Sequence, residues 1–348
     1  MPIAPINSRQ VQLAGPQQTG CIHQITSAAL WLIKAPFHCF YASAQWVWQK
    51  AYQALIGSGP GAQYPSSGSA YSNTDMINVM NQTTSVLKEG KYDYKGKIVD
   101  FLQAAKDATK STEKQDAIYT RASQINVGSN RTQFAVIRKD AVEVAIDLKK
   151  QGYNPALLNP ANAFTPGGSY KTGARAMEED LCRRSSLSLA IDSRNEEQTQ
   201  NFYPLKHSAL LYSRDIPFIR HGRDGNYSYL PQPERISVIT SAAIDLRHDK
   251  SPYSNDHPEF IAETTRRVYA QLLCATNKGH DCVVLTAFGC GAFKNKPEEV
   301  AKIYKEVIDT KFKEIFKNIT FAIIEDHNSK KEHNPNGNVK PFRDVFGS

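Results

Sequence analysis

The chain has 348 residues, 41% apolar and 22% charged, with 20 Gly, 18 Pro and 6 Cys, which excludes a collagen, a coiled coil, a disulfide-dense miniprotein and a wholly disordered chain. Its net charge of +8 favours anionic partners such as phosphates, nucleic acid or a membrane surface, without choosing among them. The cysteines (Cys21, Cys39, Cys182, Cys274, Cys282, Cys290) are scattered and form no C-x-x-C pair, so a reducing compartment is expected rather than a disulfide framework or structural zinc.

Residues 1–72 hold Arg9, Lys34 and Lys50 but no acid, and they contain all three tryptophans, Trp31, Trp46 and Trp48. Lys34, Pro36, His38 and Gln45 make Ile25–Trp48 a poor membrane span. Two readings remain for this N-terminal helical appendage, residues 1–56. Its helices pack on the body or a partner protein, or they lie in a membrane interface with an aromatic belt through residues 25–56. Peripheral membrane association is therefore an open expectation. Residues 57–73 are a Gly/Pro/Ser-rich linker, and the domain boundary is placed there.

The main domain is expected over residues 74–348, with a helical lead-in over 74–125. Apolar residues recurring at three- and four-residue steps predict helices near Met76–Glu89, Gly96–Lys110 and Glu113–Ser123. Short β-branched runs then predict strands at Phe134–Ile137, Val142–Ile146, Ala156–Leu158, Ala209–Tyr212, Ile236–Thr240, Cys282–Thr286 and Ile319–Ile324. Helices near Ala174–Ile191, Pro258–Asn277 and Pro297–Phe316 alternate with the later strands. That alternation predicts a three-layer α/β/α body with a mixed, largely parallel sheet.

Two glycine-bearing loops follow strand signals, Asn159–Gly173 and Ala287–Phe293. Ligands of open α/β sheets gather beyond the carboxyl ends of strands, where glycines let backbone N–H groups approach a phosphate. Walker A chemistry is excluded, because Ala174-Arg175 stands where Lys-Ser/Thr is needed. The Gly289/Gly291 pair lacks the third glycine of a dinucleotide fingerprint, that position being Lys294, and no G-x-S-x-G elbow exists. His248, Asp249, Asp256 and His257 read as a polar surface loop rather than a metal site. Glu178 and Glu179 diverge by about 100° on a helix, so they cannot flank one bond as a conventional glycosidase pair does. Spacing alone leaves them either as first-turn acids complementing the helix dipole or as one acid facing a ligand.

Gly167-Gly168-Ser169, seven residues, then Met177-Glu178-Glu179 resembles the GGG-x(6–8)-QEE signature of poly(ADP-ribose) glycohydrolases. Leu181-Cys-Arg-Arg-Ser185 and Leu285-Thr-Ala-Phe-Gly-Cys-Gly-Ala-Phe-Lys-Asn295 are similar to segments of the bacterial and fungal type of that family. Ser169 stands for the third glycine and Met177 for the glutamine, which adds a side chain near the ligand and removes an amide. The resemblance implies a macrodomain with ADP-ribose in a cleft over the strand ends. It implies Glu179 as the catalytic carboxylate, Glu178 holding ribose hydroxyls, and Asn162 binding the distal ribose. Gly167, Gly168 and Ser169 would pass close to the substrate. Gly289, Cys290, Gly291 and Ala292 would cradle the diphosphate, with Phe293 packed on the ribose. The expected partners are ADP-ribose, poly(ADP-ribose) or ADP-ribosylated protein, with no direct nucleic-acid contact, no metal and no cofactor. The implied activity is hydrolysis of the O-glycosidic bond at the distal ribose; a non-catalytic ADP-ribose-binding module is the alternative.

Overall fold

The computed structural model describes residues 71–115, 128–195, 198–247 and 253–347, all within the compact unit Ala62–Ser348. The expectations for residues 1–56, most of the linker, residues 116–123, His248 and Asp249 lie outside the described residues.

Helix α1, Asn73–Glu89, starts on a capping box in which Ser72 and Asp75 satisfy each other's backbone N–H groups. It ends at Gly90, whose left-handed φ of 69° closes the last turn. Met76, Met80, Thr83 and Leu87 form its buried stripe. Tyr71–Asn73, assigned to the linker from composition, belong to this body: the Tyr71 carbonyl accepts from Arg175 and its hydroxyl donates to Asn226 at 2.7 Å.

The next stretch corrects the expected helix over Gly96–Lys110. Strands β1 (Lys91–Tyr94) and β2 (Lys97–Asp100) form an antiparallel hairpin, and only α2 (Leu102–Lys110) is helical. Lys95 and Gly96 both take positive φ, 54° and 83°, the geometry of a tight two-residue hairpin loop. Glu113–Gln115 form β3, an edge strand antiparallel to β6 (Leu210–Arg220), rather than the start of a helix. Backbone pairing with Leu210–Tyr212 overrides the helical pattern there.

After β4 (Gln133–Ile137), the expected strand at Val142–Ile146 is instead helix α3, Ala141–Lys150. Asp140 accepts from the Glu143 N–H and caps it, and Ala141, Val142, Val144, Ala145 and Leu148 are its inward face. Strand β5 is Pro155–Ala161. The expected helix over Ala174–Ile191 divides into α4 (Met177–Arg184) and α5 (Leu187–Ile191), because Ser185 turns extended and bridges to Phe218. Then come β7 (Tyr229–Ala242), α6 (Pro258–Asn277), β8 (Cys282–Leu285), α7 (Pro297–Lys311), β9 (Asn318–Ala322) and α8 (Val339–Phe346).

The seven-stranded sheet has the order β3-β6-β7-β5-β8-β9-β4. From β7 to β4 every neighbouring pair is parallel, whereas β3, β6 and β7 pair antiparallel. The expected mixed, largely parallel sheet is therefore present. One face carries Ala156, Leu158, Ile239, Val283, Leu285, Ile319 and Phe321 against α6, α7 and α8. Helices α3, α4 and α5 pack on the other face. Burial on both faces explains why the central strands read as nearly unbroken apolar runs. β5 lies between β7 and β8, so the carboxyl ends of these three parallel strands emerge side by side.

Candidate active site

The loop after β5 wraps over the first turn of α4. Asn162 begins it with an Asx turn, its Oδ1 accepting from the N–H groups of Phe164 (2.8 Å) and Thr165 (2.9 Å). The Asn162 N–H donates to Oε2 of Glu178 at 2.7 Å, and the Ser169 N–H donates to Oε1 of Glu179 at 2.9 Å. Both carboxylates thus converge on Gly168, one held at each end of the loop, although they diverge along the helix. A Cβ on Gly168 would lie 2.4 Å from Oε1 of Glu179 and 3.1 Å from Oε2 of Glu178, and φ there is +60°. A Cβ on Gly167, φ +70°, would meet the Tyr170 ring at 2.6 Å and the Cys182 sulfur at 3.0 Å. Ser169 has φ −101°, ordinary for an L residue, and its side chain is exposed. The serine therefore keeps the backbone donor that a third glycine would supply.

Glu178 and Glu179 are 4% and 8% exposed, and Oε1 of Glu178 and Oε2 of Glu179 are buried without a hydrogen-bond partner. Burial pushes the Glu178 carboxyl well above its ordinary range, and the neighbouring charge of Glu179 adds to the rise. N–H groups of Asn162 and Gly167 oppose it.

A clasp behind the loop was not legible from spacing. Asp192, fully buried, accepts from the Tyr170 hydroxyl at 3.0 Å and from Arg194 at 2.7 Å on each oxygen. Arg194 also reaches the Pro166 carbonyl at 3.3 Å. Burial alone would raise the Asp192 carboxyl, but Arg194 and Tyr170 outweigh it and hold it low. A cavity of about 350 Å³ is walled by this clasp, through Pro166, Asp192 and Arg194, and by Phe164 and Tyr203 among others. None of its walls comes from residues 287–293, so it is separate from the second loop. On the other side of α4, buried Arg184 meets Asp140 (2.8 Å), Asp180 (3.1 Å) and Glu143 (3.3 Å), tying α4 to the start of α3.

The loop after β8 packs beside the segment that leaves β7. Gly289 has φ +76°, and a Cβ there would meet Asn295 at 2.4 Å and Ala243 at 2.9 Å. Asn295, absent from the expected site, donates to the carbonyls of Ile244 (2.8 Å) and Phe293 (3.1 Å), and the Leu246 N–H donates to the Phe293 carbonyl at 3.0 Å. The Cys290 N–H is spent on Ala287 and its side chain is buried in the core. Cys290 therefore shapes the turn and offers no donor of its own. The N–H groups of Gly291, Ala292 and Phe293 bond to no carbonyl among the described residues, and a Cβ on Gly291 would make only ordinary contact with Asn328 at 3.7 Å. Asp192-Ser-Arg194 and Asp245-Leu-Arg247 share one signal a sequence could offer: in both, the arginine chelates the aspartate two residues before it. No cluster of metal-ligating side chains occurs among the described residues.

Residues 80–221 match the family model of the microbial-type PARG catalytic domain, PARG being poly(ADP-ribose) glycohydrolase. The PARG of Thermomonospora curvata superposes with a TM-score of 0.68 at 24% identity, covering 78% of this chain and all of that one. The same enzyme bound to the inhibitor ADP-HPD gives 0.64 at 23%. The PARG of Deinococcus radiodurans in complex with ADP-ribose gives 0.59 at 25%, covering 70% of this chain and 96% of that one. No curated protein matches. Sheet order, facing loops and these superpositions define a macrodomain-like α/β protein. Within that class, residues 80–221 are similar to the catalytic domain of microbial-type poly(ADP-ribose) glycohydrolases, in line with the sequence resemblance.

Proposed function

We propose that this protein hydrolyses the glycosidic bond at the distal ribose of ADP-ribose units, releasing ADP-ribose from poly(ADP-ribose). The observation that carries the reading is the buried Glu178/Glu179 pair held across Gly168 by two backbone donors. Glu179 keeps Oε2 free for a proton while Oε1 is fixed by Ser169. As the C1″–O bond breaks, the protonated Glu179 gives its proton to the leaving oxygen, and positive charge develops on the distal ribose. Water then adds to C1″ and returns a proton to Glu179, restoring the starting state. Glu178, through its unpartnered Oε1, takes a ribose hydroxyl; Asn162 binds the same sugar.

Gly167 and Gly168 permit the close approach, and the N–H groups of Gly291, Ala292 and Phe293 face the diphosphate. A bound diphosphate places more negative charge beside Glu178, whose carboxyl is already pushed up by burial. No observation favours a purely binding role, since Ser169 preserves the donor to Glu179. Removal of single units from modified protein, and a membrane or protein contact through residues 25–56, are further parts of this reading. No described helix is long and apolar enough to cross a membrane.

The test is an assay of free polymer and mono-ADP-ribosylated protein side by side, with chromatographic detection of ADP-ribose. Release from polymer is expected. Tight binding of ADP-ribose with no release from either substrate would overturn hydrolysis in favour of binding alone. Liposome flotation of the full chain tests the membrane contact.

A further inference from the structure

We propose that Arg247 is the cation that receives a phosphate oxygen of the substrate in this cleft, an inference that rests on the glycohydrolase reading. The cleft has an electrostatic difficulty. It gathers two carboxylates and must also accept a diphosphate, yet segments 162–169 and 287–293 contain no Lys or Arg. Backbone N–H groups supply only partial charges, and like charges at short range in a partly desolvated site repel strongly. Lys294 follows the second loop, but among the described residues no carboxylate or ring orients its ammonium as Asp245 and Phe293 orient Arg247.

The third segment at the strand ends supplies a full charge. Residues 243–247 are fastened to the β8 loop by Asn295 and by the Leu246–Phe293 hydrogen bond. This places the Arg247 guanidinium 4.9 Å from the centre of the Phe293 ring. Asp245 fixes its orientation, accepting from Nε at 2.8 Å and from Nη2 at 2.5 Å. Asp245 first, and Glu179 more weakly, favour the charged guanidinium.

The parallel arrangement at Asp192 and Arg194 shows what distinguishes Arg247. Arg194 spends its outer nitrogen on the Pro166 carbonyl. Arg247 has the same chelated geometry but binds no carbonyl among the described residues, and its side chain remains 41% exposed. A planar guanidinium oriented by a carboxylate and backed by an aromatic ring suits a phosphate oxygen better than a flexible ammonium would. The exposed Asp245–Arg247 pair contributes little to stability, so its removal leaves the fold intact.

Two phosphate sources share this chemistry: the diphosphate of the bound unit, and that of the leaving unit in a polymer. The experiment compares wild type, Arg247→Ala and Arg247→Lys by calorimetry with ADP-ribose and by steady-state kinetics on poly(ADP-ribose). Arg247→Ala is expected to lose about ten- to a hundredfold in one of them, the range for a hydrogen bond to a charged group, and Arg247→Lys part of that. A weaker Kd for ADP-ribose assigns the bound unit. An unchanged Kd with a raised KM for polymer assigns the leaving unit. Arg247→Ala matching wild type in both, at an unchanged Tm, overturns the proposal. Wild type that neither binds ADP-ribose nor releases it would overturn the underlying reading, and this one with it.

Discussion

Gly168 is the residue on which the two carboxylates close, and it has no room for any other side chain. Alanine there would combine a left-handed φ of +60° with a Cβ 2.4 Å from Oε1 of Glu179. Strain of about 1–3 kcal/mol is relieved only by moving the loop or the acid. Because a displacement of about 1 Å at a reacting group costs about 100-fold in rate, Gly168→Ala is expected to lose that much kcat while staying folded. Circular dichroism with steady-state kinetics checks both halves. Glu179→Gln keeps the shape and removes the proton, so its rate should fall by roughly two to three orders of magnitude with ADP-ribose binding retained. Unchanged release by that variant would reject Glu179 as the proton donor. Glu178 makes a different prediction, about stability. Its native proton affinity is raised, chiefly by burial, above the ordinary 4.5. A carboxyl of this kind favours the fold while protonated. The contribution is complete below the unfolded value and is lost as pH rises through the native one. Wild-type Tm should therefore fall between mildly acidic and mildly alkaline buffer, and Glu178→Gln should flatten the decline. Equal slopes in the two proteins would exclude Glu178 as its source.

Elements matter here through what they press on the loop. Tyr170 touches Gly167 and is held by Asp192, at the end of α5, which Arg194 also binds. Asp192→Asn weakens hydrogen bonds that involve a charge, each worth about 1.5–3 kcal/mol. The loop then loses its backing, and kcat should drop about tenfold or more, with a smaller change in ADP-ribose affinity. A variant whose kcat falls only in step with its folded fraction would make the clasp purely structural. No periodic signal pointed to this clasp, because Tyr170 and Asp192 meet across 22 residues of loop and two helices. The meeting of Glu178 and Glu179 with Gly167 and Gly168 was legible because motif and contact coincide within one short segment. Among the elements, central strands were readable from their two-sided burial. Helix α3 was disguised by Val142, Val144 and Ile146, whose alternation imitates a strand until Asp140 is recognised as a cap. The β1–β2 hairpin was hidden because Lys95-Gly96 is a weaker turn signal than Asn-Gly.

At the scale of the molecule, three parallel strands deliver their loops to one edge of the sheet. β7, β5 and β8 are adjacent, so segments 243–247, 162–169 and 287–293 are set by the sheet's own register. The first described helix is capped by Ser72 and Asp75, and Tyr71 bonds to Arg175 and Asn226. Every residue assigned here to the chemistry lies in the unit Ala62–Ser348. A fragment of residues 62–348 is therefore expected to keep the full chain's kcat and KM on free polymer, and its Tm. Residues 1–61, which carry three basic and no acidic side chains, would then act on where the enzyme works rather than on the reaction. Parallel kinetics and thermal unfolding of the two proteins check this. A fragment that folds equally well but turns over polymer more slowly would show that the N-terminal region takes part in the reaction itself.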